Sequence, residues 1–307
     1  MTHVTAWAPP ARTLRDVLVS AERRLAIADV PTPRVDAELL LAHVLGVPRG
    51  RLFLSDPIDT ADEMRFEALL VRRSARVPLQ HLVGEAPFRH LVLEVGRGVF
   101  VPRPETEGVA ELAIRALTDR HDERIAVDLC TGSGALALAL ATEVPHSLVH
   151  AVELEEAAHG WAARNVEAHR DALERVGSQV VLHRGDATTA HLDALVSLVG
   201  RVDVVVCNPP YIPDDAVPRD PEVREHDPPR ALYGGHDGLD VVRGVAIAAA
   251  ALLRPGGLLV VEHGDAQGES GGASGVPHVL REHGDFLDVV DHQDLGGRDR
   301  TTTAARA

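Results

Sequence analysis

From residue 124 onward the chain carries short aliphatic runs at 124–130, 147–153, 179–183, 202–207 and 257–263, with stretches between them long enough to hold helices. Strands spaced this way become parallel neighbours only through crossovers, and such crossovers are right-handed. The alternation predicts an α/β fold with a parallel, doubly wound sheet. Two further β-type runs, at 286–291 and 301–305, bring the sheet to seven strands. The 264–275 segment holds five glycines and reads as a mobile surface loop.

Upstream the period changes. Thr13 is an N-cap candidate with Asp16 three residues on, and Val17, Leu18, Ala21 and Leu25 follow at helical spacing. Thr32-Pro33 opens a second helix that Gly46 ends, and a third is expected over 61–76, with Met64, Leu69 and Leu70 on its apolar face. Between 87 and 101, Leu91, Leu93 and Val95, then Val99 and Val101, flank Gly96 and Gly98, the pattern of a short hairpin. The expected organisation is a small helical domain over 1–84, a β-hairpin linker over 85–101 and an α/β domain over 102–307.

The chemistry concentrates where strands end. The 202–207 run stops at Asn208-Pro209-Pro210-Tyr211. Each proline fixes φ and neither donates a backbone hydrogen bond, so the corner is rigid and cannot continue the strand. It offers a carboxamide, a free carbonyl and an aromatic ring at a strand's C-terminal edge, where α/β sheets place ligands. That set suits a planar NH2 group: the Asn208 oxygen and the Pro209 carbonyl take its two hydrogens, and Tyr211 covers its face. Asp128-Leu-Cys130-Thr131-Gly132-Ser133-Gly134 follows the first strand of the alternation, and its glycines let the backbone approach a ligand. Gly132, Gly134 and Ala137 also fit a dinucleotide fingerprint, with Glu153 as the ribose-binding acid, so the loop by itself leaves nicotinamide cofactors and S-adenosylmethionine both open. Asp186-Ala187, after the third strand, stands where an adenine ring would reach.

Net charge, 31 basic against 46 acidic residues, disfavours an extended nucleic-acid footprint. The two cysteines, Cys130 and Cys207, each close an apolar run and are expected as free thiols in a reducing compartment. The seventeen histidines lack a compact ligand set, so no metal is expected. Pro9, Pro10 and Arg12 stand in place of a signal-peptide apolar run, and no apolar stretch reaches the ~20 residues of a membrane span, so the expectation is a cytoplasmic protein without a membrane partner.

Taken together, Pro78-Leu-Gln-His-Leu-Val-Gly-Glu85, Val101-Pro-Arg-Pro-Glu105-Thr106-Glu107, the Asp128–Gly134 loop, Asn208-Pro-Pro-Tyr-Ile212, Ala231-Leu-Tyr-Gly-Gly235 with Asp237-Gly-Leu239, and Gly297-Arg-Asp-Arg300 resemble the peptide chain release factor glutamine methyltransferase family. The resemblance spans most of the chain. It implies a class I S-adenosylmethionine-dependent methyltransferase domain behind a helical substrate-recognition domain, and methyl transfer to the side-chain amide of the glutamine in a Gly-Gly-Gln loop. It implies S-adenosyl-L-methionine held by Asp128, Cys130, Thr131, Gly132, Ser133, Gly134, Glu153, Asp186, Ala187 and Asn208. Asn208, Pro209 and Tyr211 become the catalytic set, and Phe100, Glu105, Thr106 and Pro210 complete the substrate pocket. The implied partner is a release factor, with no direct DNA contact. A ribosomal-protein glutamine is the nearest alternative substrate, and an exocyclic amine of a nucleic acid a more distant one. Two positions depart from the family pattern: Cys130 stands where a glycine is usual, and His263 where an aliphatic residue is usual.

Overall fold

The computed structural model describes residues 13–54, 58–119 and 123–307; the segment with Pro9, Pro10 and Arg12 lies outside them. The chain divides into two compact units, Met1–Gly84 and Glu85–Ala307.

The first unit holds α1 (Leu14–Ile27), α2 (Pro33–Leu45), α3 (Thr60–Ser74) and the short α4 (Leu79–Val83). Thr13 and Asp16 cap α1 reciprocally, each side chain taking the other's backbone N–H at 3.1–3.2 Å. Gly46, at φ 64°, ends α2 in the left-handed conformation that glycine adopts most cheaply. Leu18, Leu25, Leu40, Leu41, Phe66 and Leu70 fill the core, each burial being worth roughly 1.5–3 kcal/mol. The expected inward face of α3 is corrected at one position: Met64 is 70% exposed, while Leu70 is buried and Leu69 packs against the core, and Phe66 and Arg73 join them on the inward face. Phe66, Leu69, Leu70 and Arg73 sit at i, i+3, i+4 and i+7, whereas Met64 is two positions from Phe66 and points round to the other side of the helix.

The second unit opens with a hairpin, β1 (Glu85–Phe88) and β2 (Leu91–Glu94). Its turn is Arg89-His90, not the Gly96–Gly98 stretch that the sequence pattern suggested. Arg89 takes φ 52°, and its guanidinium reaches Glu143 at 2.6 Å and Glu111 at 3.0 Å while its N–H donates to Glu107. Those charge-assisted bonds hold a non-glycine residue in an uncommon conformation. Gly96 serves a different end, close packing: a Cβ there would lie 2.6 Å from the Trp161 ring.

Then come α5 (Thr106–Thr118), β3 (Arg124–Leu129), α6 (Ala135–Glu143), β4 (Ser147–Glu153), α7 (Glu156–Ala168), α8 (Arg170–Val176), β5 (Gln179–Arg184), β6 (Val202–Cys207), α9 (Pro221–His226), α10 (Asp240–Leu252), β7 (Leu253–Glu262), α11 (Val276–His283), β8 (Phe286–Gln293) and β9 (Asp299–Arg306). The seven-stranded sheet runs β5-β4-β3-β6-β7-β9-β8. The pairs from β5 to β7 are parallel, and β9 is antiparallel to both β7 and β8. The sheet is therefore mixed rather than wholly parallel: the last two strands are joined by a short connection, which permits only antiparallel pairing. Alternate residues feed two cores. Val205, Cys207, Leu259 and Val261 meet α10 and α11 on one face, while Val204, Val206 and Val260 meet α5 and α6 on the other. Such two-sided burial explains why these strands read as unbroken apolar runs.

Chain order reverses between β3 and β6, since β4 and β5 lie to one side and β7 to the other. The C-terminal ends of these two strands, with Leu129 paired to Cys207, open the crevice that a doubly wound sheet offers to ligands.

Candidate active site

At this edge lies a cavity of about 1280 Å³. One wall is the loop after β3. Asp128 is fully buried beneath it, its Oδ2 accepting from the Thr131 hydroxyl and, at 3.0 Å, from the Ala137 N–H. Burial pushes its carboxyl up to about 7 despite those two hydrogen bonds, and Glu153 adds to the rise. Its Oδ1 has no hydrogen-bond partner among the described residues. Cys130, Gly132 and Gly134 take φ 64°, 57° and 85°. The usual glycine at the Cys130 position thus has a physical cause, because a side chain there occupies left-handed backbone. A Cβ on Gly132 would meet nothing within 4 Å, so that backbone faces open space.

Glu153, at the end of β4, ties the loop down. Its Oε2 accepts from Gly132 N at 2.8 Å and its Oε1 from Glu155 N at 2.9 Å. Burial raises its pKa, and the N–H groups of Glu155, Gly132 and Leu154 oppose the rise. Cys130, Thr131, Gly132, Ser133 and Glu153 all line the cavity, whereas Asp128 and Gly134 lie behind it as supports. Asp186 and Ala187 line it from the end of β5. Asp186 Oδ1 accepts from Thr188 N and Oγ1 at 2.8 and 2.7 Å, closing a local turn.

The opposite wall is the corner after β6. Asn208, Pro210 and Tyr211 line the cavity, and Pro209 is buried beneath them. Asn208 Nδ2 donates to Thr106 Oγ1 at 3.3 Å. Tyr211 is pushed up to about 12 by burial, with Glu262 next in effect. Its carbonyl accepts from Gln267 Nε2 at 2.9 Å. The Gly234–Gly238 block explains itself here: a Cβ on Gly238 would stand 2.3 Å from Tyr211 O, and one on Gly234 2.4 Å from Pro210 O. Two glycines let a second backbone lie directly on the proline corner.

Phe100, Glu105 and Thr106 complete the lining. The Arg103 guanidinium sits 4.9 Å from the Phe100 ring centroid and donates to Asp227 Oδ2 at 2.8 Å. Burial lifts Asp227 to about 6, with Arg103 pulling the other way. This pair anchors the far end of the 214–227 segment, which carries α9 and contributes Val217, Pro218 and Val223 to the cavity.

Two features went unread in the sequence. Glu262, 2% exposed, lines the cavity from the end of β7; its signal was an acid closing a strand, as Glu153 does. Gln267 lies in the glycine-rich segment read as mobile. That reading is corrected: the segment forms a 3-10 turn at Glu269–Ser274, and Gln267, 8% exposed, bonds both Tyr211 O and Gly264 N. The glycines serve close contacts, with a Cβ on Gly275 falling 2.4 Å from Gly268 O. His263 is fully buried, donates from Nδ1 to Gly264 O, and places Nε2 3.0 Å from Thr302 Oγ1 and 3.1 Å from Asp291 Oδ1. It fastens β7 to β8 and β9 and does not line the cavity.

The family model described as PrmC N-terminal domain matches residues 16–84, and that described as methyltransferase small domain matches 93–220. The release factor glutamine methyltransferase of Streptomyces coelicolor is 50% identical over 292 residues, covering 94% of this chain and 97% of that protein. Those of Mycolicibacterium smegmatis and Bifidobacterium longum are 46% and 40% identical over 293 and 294 residues, covering 95% and 94% of this chain and 98% and 97% of theirs.

Proposed function

The chain belongs to the release factor glutamine methyltransferase family, and from that premise we propose that its crevice transfers a methyl group from S-adenosyl-L-methionine to the side-chain amide nitrogen of the glutamine in a release factor's Gly-Gly-Gln loop. S-adenosylmethionine supplies an electrophilic methyl on a sulfonium. The cavity suits it: open backbone at Gly132, a strand-terminal carboxylate at Glu153 for ribose hydroxyls, and Asp186 and Ala187 to frame the adenine. Thr131 and Ser133 complete the loop wall, with Asp128 and Gly134 holding its shape.

A carboxamide nitrogen is a poor nucleophile because its lone pair is delocalised into its carbonyl. Acceptors on both N–H bonds localise that pair and aim it. The observation that carries this reading is the Asn208 carboxamide: with Nδ2 given to Thr106, its oxygen is the acceptor left for a substrate N–H. The Pro209 carbonyl takes the second hydrogen, and Phe100, Pro210 and Tyr211 wall the amide from water. Holding a near-attack pair in this way supplies on the order of 7–11 kcal/mol of barrier reduction. As the N–C bond forms, the methyl–sulfur bond would break to leave a neutral thioether, and the surplus proton on the amide nitrogen would pass to water.

We assign recognition of the protein substrate to the helical unit, which exposes Phe53, Leu54 and Met64. A translation factor is met in the cytoplasm, and no helix among the described residues is long and apolar enough to cross a membrane. The test is mass spectrometry of a purified Gly-Gly-Gln release factor after incubation with the enzyme and S-adenosylmethionine. One added methyl on that glutamine is expected, and Asn208→Ala should lower kcat by about 10²–10³-fold. Methyl transfer to another residue, or full activity in Asn208→Ala, would overturn the reading.

A further inference from the structure

Glu262 is a buried acid in the cavity wall to which the mechanism above gives no role. It closes β7, one strand over from the corner at Asn208, with Val261 paired to Cys207 and Glu262 itself paired to Thr301 of β9. The Thr106 and Asn208 side chains share the cavity lining with it, and both hold its carboxyl's pKa down. Its Oε2 is buried without a hydrogen-bond partner among the described residues. The charged and titratable groups facing it are Arg300 from β9, Glu105 from the start of α5, and Tyr211 and Cys207 from β6 and its corner.

A carboxamide has an accepting end and a donating end that are almost alike in shape, so packing alone barely distinguishes its two orientations. For Asn208 the distinction decides everything. Turned the other way, its NH2 would confront the substrate's NH2, donor against donor. Thr106 cannot make the choice, because a hydroxyl donates or accepts as required. An ionised carboxylate accepts only.

We propose that Glu262, acting with Thr106, is the positioning residue that fixes the Asn208 carboxamide with its NH2 turned toward the protein and its oxygen toward the substrate amide. This rests on the reading of Asn208 as the acceptor for the glutamine N–H. It also makes the orientation depend on the charge of Glu262, since a protonated carboxyl can donate to the Asn208 oxygen and tolerate the wrong orientation. Burial pushes Glu262 up to about 7; Thr106, Arg300 and Asn208 hold it down, while Glu105 adds to the rise. The ionised form is the competent one, so kcat rises as pH rises through that value.

The test compares wild type, Glu262→Gln and Thr106→Val, as full-length chains, for kcat and KM on a Gly-Gly-Gln release factor from pH 5.5 to 9. Affinity for S-adenosylmethionine is measured in parallel by calorimetry. Glu262→Gln keeps the shape but can donate to the Asn208 oxygen. Its kcat is expected to fall about 10–100-fold, with KM and cofactor affinity within about twofold of wild type and the inflection near pH 7 gone. Thr106→Val should lower kcat about tenfold and keep the inflection. Wild-type kcat and an unchanged pH profile in Glu262→Gln would overturn the proposal; if that variant fails to bind cofactor, unchanged kcat in Thr106→Val does so instead. A wild-type enzyme that leaves the glutamine unmethylated would strike at the reading of Asn208, a result distinct from either.

Discussion

The two units bury carboxylates in opposite ways. In the helical unit Asp36 is 3% exposed and Arg73 5%, with Arg73 Nε donating to Asp36 Oδ2 at 2.7 Å and Thr32 Oγ1 donating to its other oxygen at 2.6 Å. Every oxygen has a partner and the charge is neutralised in place. At the strand ends of the second unit, Asp128 and Glu262 are equally buried, yet each keeps one oxygen without a hydrogen-bond partner among the described residues, and burial pushes each up to about 7. A group that only holds a fold together is satisfied, because an orphaned polar atom costs about 1–3 kcal/mol. Unsatisfied acids on the two strands that flank β6, one in the cavity wall and one beneath its loop, mark this sheet edge as the place for a ligand or a reaction.

The largest expected effect tests the satisfied pair. Arg73→Leu strands Asp36 in the core of the helical unit and should cost about 3–5 kcal/mol, whereas replacing both partners with leucine should recover much of that loss. Chemical denaturation of the wild type and the two variants measures it. Equal losses in the single and double variants would mean that packing, not charge, governs the site.

Next in size is the pH dependence that the unsatisfied acid imposes. Asp128 ionises near 3.8 in the unfolded chain and about 7 in the folded one. Below the lower value both states hold the proton and nothing is lost. Between the two values the folded state keeps a proton that the unfolded state has released, so stability falls as pH rises and the full penalty is present above 7. Asp128→Asn removes this dependence. Its stability relative to wild type should therefore improve by roughly 2–4 kcal/mol from pH 4 to pH 8. His150, which burial lowers to about 4, imposes the opposite slope, but it is common to both proteins and cancels in the difference. A gap that does not change with pH would place Asp128 among the satisfied acids.

How much of this was legible beforehand follows from what a linear pattern can carry. Strand positions were readable because two-sided burial leaves continuous apolar runs, and β4 and β6 fall on the expected residues. The antiparallel direction of β9 was not, since side-chain periodicity is the same for either direction. The hairpin turn was misplaced because Gly96 and Gly98 advertise a turn in sequence, whereas Arg89 turns the chain through ion pairs to residues 22 and 54 positions away. The Asn208 corner was readable because two prolines restrict geometry locally. Glu262 was not, because its meaning lies in Thr106 and Asn208, which are distant in sequence and meet only when the sheet assembles. The glycine-rich segment at 264–275 misled for the same reason: its glycines signal close backbone contact, and contact cannot be told from mobility by composition.

The smallest expected effect lies between the two extremes of the comparison. Glu153 is buried like Asp128, but both of its oxygens already accept backbone N–H groups, from Gly132 and Glu155. It is structurally satisfied and still lines the cavity. If it also takes ribose hydroxyls, it does so with its remaining lone pairs, as a carboxylate with about four acceptor sites can. Glu153→Gln keeps one accepting oxygen and replaces the other with a donor. Cofactor affinity measured by calorimetry should fall about tenfold, or about 1.4 kcal/mol, while unfolding stability changes by less than about 1 kcal/mol. A large loss of stability with unchanged affinity would assign Glu153 to the same class as Asp36, a carboxylate whose hydrogen bonds serve the fold alone.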